Sequence, residues 1–121
     1  MGFIYCLFST EDGVPRYIGQ TRGDVSRRHK HHLAAALDKD EKGAVCDWIR
    51  NVLRRERSIG IRVIQEDINP KDLDMFERYW IEQFPNLLNN GAPNRRKPTV
   101  TAQKIIEALQ SGLSKKRRKP K

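Results

Sequence analysis

The sequence predicts an α+β domain: a small three-stranded antiparallel sheet flanked by helices, in the order β-β-α-α-β-α. Three observations support this prediction. Two short runs rich in aromatic and β-branched residues, GFIYCLF (2–8) and PRYIGQ (15–20), flank a polar connection. Two stretches of helical apolar spacing follow them, and a third strand-like run, IRVIQEDI (61–68), precedes a third helix. The chain has 121 residues, which suffices for one small domain with a modest core.

The first three elements follow from local signals. Asp12-Gly13 lies between the first two runs and is a turn signal, so these runs are predicted to form a hairpin. Asp24 can cap a helix that runs to about Leu37, because its short side chain can accept hydrogen bonds from free backbone N–H groups.

The later elements follow from periodicity. Apolar residues recur at helical spacing through 44–57, which predicts a second amphipathic helix. The strand at 61–68 comes next. Pro70 can begin a third helix that runs to about Phe84, because proline fits the first helical position. The apolar face of this helix is Leu73, Phe76, Trp80, Ile81 and Phe84.

The charge is unevenly distributed. The formal net charge is +9, and residues 95–121 carry all of it, with ten Lys or Arg against one Glu. Residues 1–94 hold fourteen side chains of each sign. We therefore predict a folded domain at 1–94 and a basic tail at 95–121, helical around 100–112 and then disordered. A block such as KKRRKPK favours a polyanionic partner: DNA, RNA or an anionic membrane surface.

Two tyrosines occupy matching places on the predicted hairpin. Tyr5 and Tyr17 each lie between apolar residues and can face each other across it. Strand tyrosines are usually packing residues with a hydroxyl at the surface. Gly19, two residues after Tyr17, removes a side chain from the same face. Since a strand glycine often permits a close approach, we expect room for a phosphate beside the two phenols.

Glu77 is unusual on the third helix because it lies four residues after Leu73 and three before Trp80. A carboxylate on a core-facing stripe needs a partner, since an unpaired buried charge is costly. One interpretation is a boundary residue paired with an arginine. The other is a metal ligand, because Mg²⁺ binds one or two carboxylates together with water and phosphate oxygens.

The first helix carries two pairs of basic residues. Arg27 and His31 are four residues apart and share a face, and Arg28 and His32 form a second pair about 100° away. Taken alone, such a run is typical of a solvated basic face. Together with the tyrosines and Glu77, however, this basic run would complete the set of groups that a phosphodiester hydrolase needs. That reaction needs an activated water, a metal ion and a cation for developing charge.

These motifs resemble the GIY-YIG endonuclease family. FIY (3–5), YIG (17–19), RRHKH (27–31), FERYWI (76–81) and LLNN (87–90) occur in that family's order and spacing, and the resemblance covers roughly residues 2–92. It implies a three-stranded antiparallel sheet flanked by helices, which agrees with the element order. It also implies six catalytic positions: Tyr5, Tyr17, Arg27, His31, Glu77, and Asn89 or, as the alternative, Asn90.

The resemblance further implies a mechanism. One Mg²⁺ on Glu77, replaceable by Mn²⁺, would bind the scissile phosphate, and Arg27 would contact that phosphate. One of the two tyrosines would accept a proton from the attacking water; our hypothesis is Tyr5, with Tyr17 as the alternative. Tyr17 would then hold the water or phosphate, and His31 would receive the proton or orient the phenol. Hydrolysis would leave 5′-phosphate and 3′-hydroxyl ends.

The expected partner is duplex or branched DNA, with no membrane and no small-molecule cofactor. The basic residues expected to contact DNA are Arg28, Lys30, Arg95, Arg96, Lys97, Lys115, Lys116, Arg117 and Arg118. The alternative is a catalytically silent DNA- or RNA-binding module or an accessory subunit. The expected location is the cytoplasm, at the nucleoid, in a bacterium or phage, and the nucleus in a eukaryote.

Overall fold

The computed structural model describes residues 1–38, 40–89 and 97–117, and it describes no side chains for 114–117. The predicted element order is confirmed, with one further helix at the C-terminal end. The elements are β1 (Gly2–Ser9), β2 (Pro15–Thr21), α1 (Val25–Leu37), α2 (Ala44–Arg54), β3 (Ile59–Ile68), α3 (Leu73–Gln83), which a 3₁₀ turn at Pro70–Asp72 precedes, and α4 (Val100–Arg117).

The three strands form one antiparallel sheet in the order β2-β1-β3. The predicted hairpin therefore joins the central strand to one edge strand. Gly13 has φ +70 in the connecting turn, a conformation that glycine adopts readily. Because side chains alternate along a strand, Ile4 and Cys6 face one side of the sheet, while Tyr5 and Leu7 face the other.

Each face of the sheet is covered by a pair of helices. On the Ile4 face, α3 and α4 contribute Leu73, Trp80, Ala102 and Ile106 to the core. On the Tyr5 face, α1 and α2 pack through side chains that include Ala36, Ile49 and Val52. This three-layer arrangement places the first tyrosine under α1.

Three helix boundaries differ from the prediction. Pro70 begins a 3₁₀ turn, and helix α3 itself begins at Leu73. Helix α2 ends at Arg54 instead of residue 57, because Glu56 has φ 59, a left-handed conformation that ends a helix. Helix α4 continues to Arg117, beyond the predicted 100–112, so residues 113–117 are helical where disorder was expected. Residues 118–121 lie outside the described part of the chain.

Helix α4 is also part of the folded core. Its buried face consists of Ala102, Ile106, Leu109 and Leu113, and the first three belong to the cluster on the Ile4 face. The Gln110 side chain also donates a hydrogen bond to the Asp12 carbonyl in the hairpin turn, at 3.0 Å. The predicted division into a domain at 1–94 and a tail at 95–121 therefore does not describe the packing, because the apolar stripe of α4 covers the sheet.

The position of α1 is held by Arg50 of α2. Its guanidinium donates hydrogen bonds to the carbonyl oxygens of Ala36, Asp38 and Glu41 at 2.6 Å each, and to an Asp47 carboxylate oxygen at 3.2 Å. These contacts fix the C-terminal end of α1 and the connection to α2. Within the described residues, no helix is both long and apolar enough to cross a membrane.

Candidate active site

Helix α1 presents Arg28 and His32 to the sheet, together with His29, Leu33 and Ala36. Arg27 and His31, which the sequence placed in the site, lie on the exposed side. The assignment of the phosphate-contacting arginine and its histidine to that pair is therefore not supported by the geometry. The helix begins at the predicted Asp24 cap, so the reason is the side on which its apolar residues lie: Leu33 and Ala36 pack against the sheet, and residues 28 and 32 fall on the same side at intervals of four.

The Tyr5 hydroxyl is the centre of a hydrogen-bond cluster. Its oxygen lies 2.8 Å from His32 Nε2, and Arg28 Nε donates to it at 3.3 Å. Because a guanidinium can only donate, the phenolic proton is left to point at the imidazole. We therefore assign Tyr5 as the donor to His32 Nε2, with the proton of the neutral imidazole on Nδ1.

The pKa values of this pair are shifted in opposite directions. Burial raises the pKa of Tyr5 to about 12, because the phenolate is less well solvated than in water; the Arg28 hydrogen bond opposes that rise. Burial, with help from the Arg28 charge, lowers the pKa of His32 to about 4. Both groups are thus neutral at pH 7. In the free protein the proton therefore stays on Tyr5.

Tyr17 completes a cluster of three rings. Its ring centroid lies 6.4 Å from that of Tyr5 and 5.3 Å from that of His32. In the sheet Tyr5 pairs with Gly19 and Tyr17 pairs with Leu7, so the two phenols are diagonal neighbours on one face. Tyr5 has no exposed surface, whereas Tyr17 is half-buried. Burial and the negative charge of Glu77 both raise the pKa of Tyr17.

Gly19 has a different role from the one predicted. A Cβ at this position would lie 2.4 Å from the Tyr5 hydroxyl oxygen and 2.9 Å from a Tyr17 ring carbon. The missing side chain therefore makes room for the phenol of Tyr5. The space was predicted for a phosphate, and the ring of Tyr5 occupies it.

Glu77 lies across β2 from the rings. It is half-buried on α3, between the buried Leu73 and Trp80, as the helical spacing predicted. Its Oε1 atom accepts a hydrogen bond from Gln20 Nε2 at 3.2 Å, and the same nitrogen donates to Asp74 Oδ1 at 2.7 Å. Asp74 and Glu77 line a cavity of about 380 Å³ with Arg78, Ile81 and Glu82.

The two parts of the site meet at β2. Tyr17 and Gly19 lie on the α1 side of β2. Because side chains alternate along a strand, Ile18 and Gln20 lie on the α3 side, where Ile18 belongs to the core and Gln20 forms hydrogen bonds to α3. The charge of Glu77 reaches both phenols, since it contributes to raising the pKa of each. A phosphate at the edge of β2 can therefore approach a carboxylate from one side and a phenol with its arginine from the other.

Asn89 fixes the outer edge of β2. Its side-chain oxygen accepts from the Ile18 N–H at 2.9 Å, and its side-chain nitrogen donates to the Ile18 carbonyl at 2.6 Å. The amide group thus takes the place of a neighbouring strand. Since both ends of the amide are engaged, Asn89 acts on the site by positioning the strand that carries Tyr17 and Gly19. Asn90 lies outside the described residues.

The predicted DNA-binding residues are dispersed. Lys30 is exposed on α1, Lys97 is exposed before α4, and Arg28 is in the Tyr5 cluster. Lys115, Lys116 and Arg117 belong to the last turn of α4, but their side chains are outside the description. Arg95, Arg96 and Arg118 lie outside the described residues.

Sequence reasoning did not place Gln20 or Asp74 in the site, and on α1 it chose Arg27 and His31, which lie on the exposed side of the helix. The orienting signal for α1 was present: Val25, Leu33 and Ala36 mark the apolar side of the helix, and Arg28, His29 and His32 fall with them. No local pattern marks Gln20, because its partners are 54 and 57 residues away.

Comparison with known proteins identifies the family of the chain. No curated protein and no solved structure is significantly similar to the chain. The family model of the GIY-YIG catalytic domain matches residues 1–90, a range that contains all three strands and every side chain of the site described above. That model describes a nuclease, and a nuclease is a phosphodiesterase. The chain therefore belongs to the GIY-YIG family.

Proposed function

We propose that the protein is a divalent-metal-dependent DNA endonuclease that leaves 5′-phosphate and 3′-hydroxyl ends. The observation that carries this proposal is the Tyr5 hydroxyl held between Arg28 and His32, on a strand pair whose other side presents Glu77. Phosphodiester hydrolysis needs a proton acceptor, a cation for the phosphate and a ligand for a metal ion. In this proposal Tyr5 is the proton acceptor, Arg28 is the cation for the phosphate, and Glu77 is the metal ligand.

The donor set suits a hard divalent cation. Glu77, with Asp74 one turn away, presents carboxylate oxygens to the cavity of about 380 Å³. Among the described residues, no group of three or more His, Cys, Asp or Glu side chains could hold a metal ion. That is compatible with Mg²⁺ or Mn²⁺, because Mg²⁺ sites use one or two carboxylates with water and substrate phosphates. When bound, such a cation polarises the phosphoryl group and neutralises developing charge.

Arg28 is the residue we assign to the phosphate. Only its Nε is used, toward Tyr5; its two terminal nitrogens make no hydrogen bond within the described part of the chain. Those nitrogens can bind a phosphate while Nε remains on the phenol. The Tyr5 hydrogen bond raises the pKa of Arg28, so the guanidinium stays charged. Phosphate binding and support of a phenolate are thus combined in one side chain.

The proton acceptor in this proposal is Tyr5, with His32 behind it. Because burial raises the pKa of Tyr5 and lowers the pKa of His32, the free protein holds no phenolate in advance. A cation near Glu77 would favour the phenolate and so lower the pKa of Tyr5. An anionic phosphate near His32 would favour the imidazolium and so raise the pKa of His32. Both effects reduce the difference between the two pKa values when metal and substrate are bound. Tyr17 is the phenol with exposed surface, and it orients the attacking water.

Non-specific affinity comes from the basic surface. The exposed residues of α1 include Arg27 and Lys30, and the last turn of α4 leads into the block KKRRKPK. Each neutralised phosphate releases counterions, so binding should weaken steeply with salt. This surface alone is also compatible with a silent DNA- or RNA-binding module, which is the second candidate.

The test is cleavage of supercoiled plasmid with Mg²⁺ and with chelator, followed by ligation of the product without a kinase. We expect metal-dependent nicking or linearisation and ends that ligate directly. Glu77→Gln should abolish cleavage and leave DNA binding intact, while Glu107→Gln, which removes an acid on exposed α4 surface, should cut normally. A wild-type protein that binds every linear, branched and single-stranded substrate and cuts none would support the silent module instead.

A further inference from the structure

Gln20 joins β2, the strand that carries Tyr17, to α3, the helix that carries Glu77. Its Nε2 atom lies 2.7 Å from Asp74 Oδ1 and 3.2 Å from Glu77 Oε1. A side-chain amide nitrogen carries two N–H groups, so it can serve both acceptors at once. One neutral donor therefore fixes the separation of two carboxylates.

The two carboxylates need such a donor. Asp74 and Glu77 are three residues apart on α3 and lie on the same face, where like charges repel. Within the described residues, the bond from Gln20 is the only hydrogen bond that Glu77 receives. Without it, the half-buried carboxylate would be free to turn toward solvent, away from the cavity.

The position of Gln20 in the chain also matters. It follows Gly19 on β2, and the neighbouring Ile18 is held on both backbone atoms by Asn89. The donor is thus presented by a paired strand segment, one residue after the glycine that accommodates Tyr5. Ordering of the Glu77 carboxylate is coupled by geometry to the strand that carries Tyr17.

We propose that Gln20 is a positioning residue that orients the Glu77 carboxylate for the divalent cation. It touches neither substrate nor reacting atoms and acts through Glu77; Asp74 shares its amide and holds it in place. This inference rests on the proposed function, because it takes Glu77 as the metal ligand. Partners that orient metal ligands typically contribute about 10–100-fold in metal affinity or activity.

The experiment measures Mn²⁺ binding to the free protein by electron paramagnetic resonance, without DNA. Gln20→Met keeps the length of the side chain and removes its donors without changing the charge. We expect the dissociation constant for Mn²⁺ to rise by about tenfold or more. The melting temperature should stay close to that of wild type. The matched control is Gln103→Met, which removes another glutamine-to-carboxylate bond, to Glu107 at 3.1 Å on α4, and should leave Mn²⁺ binding unchanged.

A second readout is the metal dependence of single-turnover cleavage. The Mg²⁺ concentration for half-maximal rate should rise by the same factor in Gln20→Met, while the rate at saturating Mg²⁺ stays within about threefold of wild type. Gln20→Ala serves as a second variant and should reproduce both changes. Unchanged Mn²⁺ affinity in both folded variants would overturn the inference.

Glu77→Gln separates this inference from the proposed function. If Gln20 acts through Glu77, adding Gln20→Met to Glu77→Gln should weaken Mn²⁺ binding no further. An equal further loss in that background would mean that Gln20 acts independently, which overturns the inference. If Glu77→Gln itself leaves Mn²⁺ binding and cleavage intact, the metal assignment in the proposed function fails as well.

Discussion

Replacing His32 should change how stability depends on pH. The pKa of this histidine is lowered from 6.5 to about 4 in the folded protein, mainly by burial and then by the charge of Arg28. The unfolded chain therefore binds a proton at a higher pH than the folded one does. The contribution of neutral His32 to the unfolding free energy is therefore fully present above pH 6.5 and is lost as the pH falls toward 4.

The magnitude follows from the size of the shift. The full shift would correspond to roughly 3 kcal/mol of unfolding free energy lost between pH 7 and pH 4. Because His32 is only half-buried, solvent screening reduces this loss to about 1–2 kcal/mol, which is still a measurable part of the 5–15 kcal/mol that a small domain typically has. Acid should therefore unfold the protein in part through a residue of its proposed active site.

The assay is urea denaturation at several pH values between 4 and 7.5, for wild type and His32→Gln. The unfolding free energy of the variant is lower by a constant amount, since the bond to Tyr5 is changed. The difference in unfolding free energy between the two proteins should shrink by about 1–2 kcal/mol as pH falls from 7 to 4. His31→Gln, on the exposed side of α1, is the control and should follow the wild-type curve. Parallel curves for wild type and His32→Gln would refute this account of the pKa.

Three further predictions concern the scaffold, the tail and the phenols. Arg50→Ala should lower the unfolding free energy by about 2–4 kcal/mol in denaturant titrations, because three charge-assisted bonds to carbonyls are lost; an unchanged midpoint would contradict the role given to it. Truncation after residue 98 removes α4 and should unfold the protein, as measured by circular dichroism; a folded, active 1–98 fragment would show that α4 is dispensable. Truncation after Ser114 should keep the fold and make the slope of log affinity for DNA against log salt concentration shallower by about 0.9 per lost phosphate contact. Tyr5→Phe should remove the alkaline rise in cleavage rate and Tyr17→Phe should lower the rate at every pH, and the reverse pattern would make Tyr17 the proton acceptor.

The sheet and its flanking helices were predictable because they depend on local periodicity. Alternating apolar residues in 2–8 and 15–20 and the Asp12-Gly13 turn determined the hairpin. Glu77 was also predictable, since a carboxylate between Leu73 and Trp80 on a helix must lie at the edge of the buried face. In both cases neighbours within one or two turns decide where a side chain points.

The remaining features were not predicted, two of them although a local signal was present. The apolar residues Leu33 and Ala36 decide which basic pair of α1 faces the sheet, since adjacent positions on a helix differ by about 100°. The tail was separated from the domain on charge, although Ala102, Ile106, Leu109 and Leu113 carry a helical apolar stripe that predicts packing. The Gln20 contacts join residues more than 50 positions apart, and no spacing rule reaches that far.

The central claim is that Arg28, and not its neighbour, contacts the phosphate beside Tyr5. The most direct test is single-turnover cleavage at saturating protein and Mg²⁺ by Arg28→Ala and Arg27→Ala, two variants with the same change in charge on adjacent residues. Arg28→Ala should lose about 10²–10³-fold in rate, as expected for one preorganised donor, and Arg27→Ala should stay within about threefold of wild type. Equal losses, or a larger loss in Arg27→Ala, would contradict the active site described here.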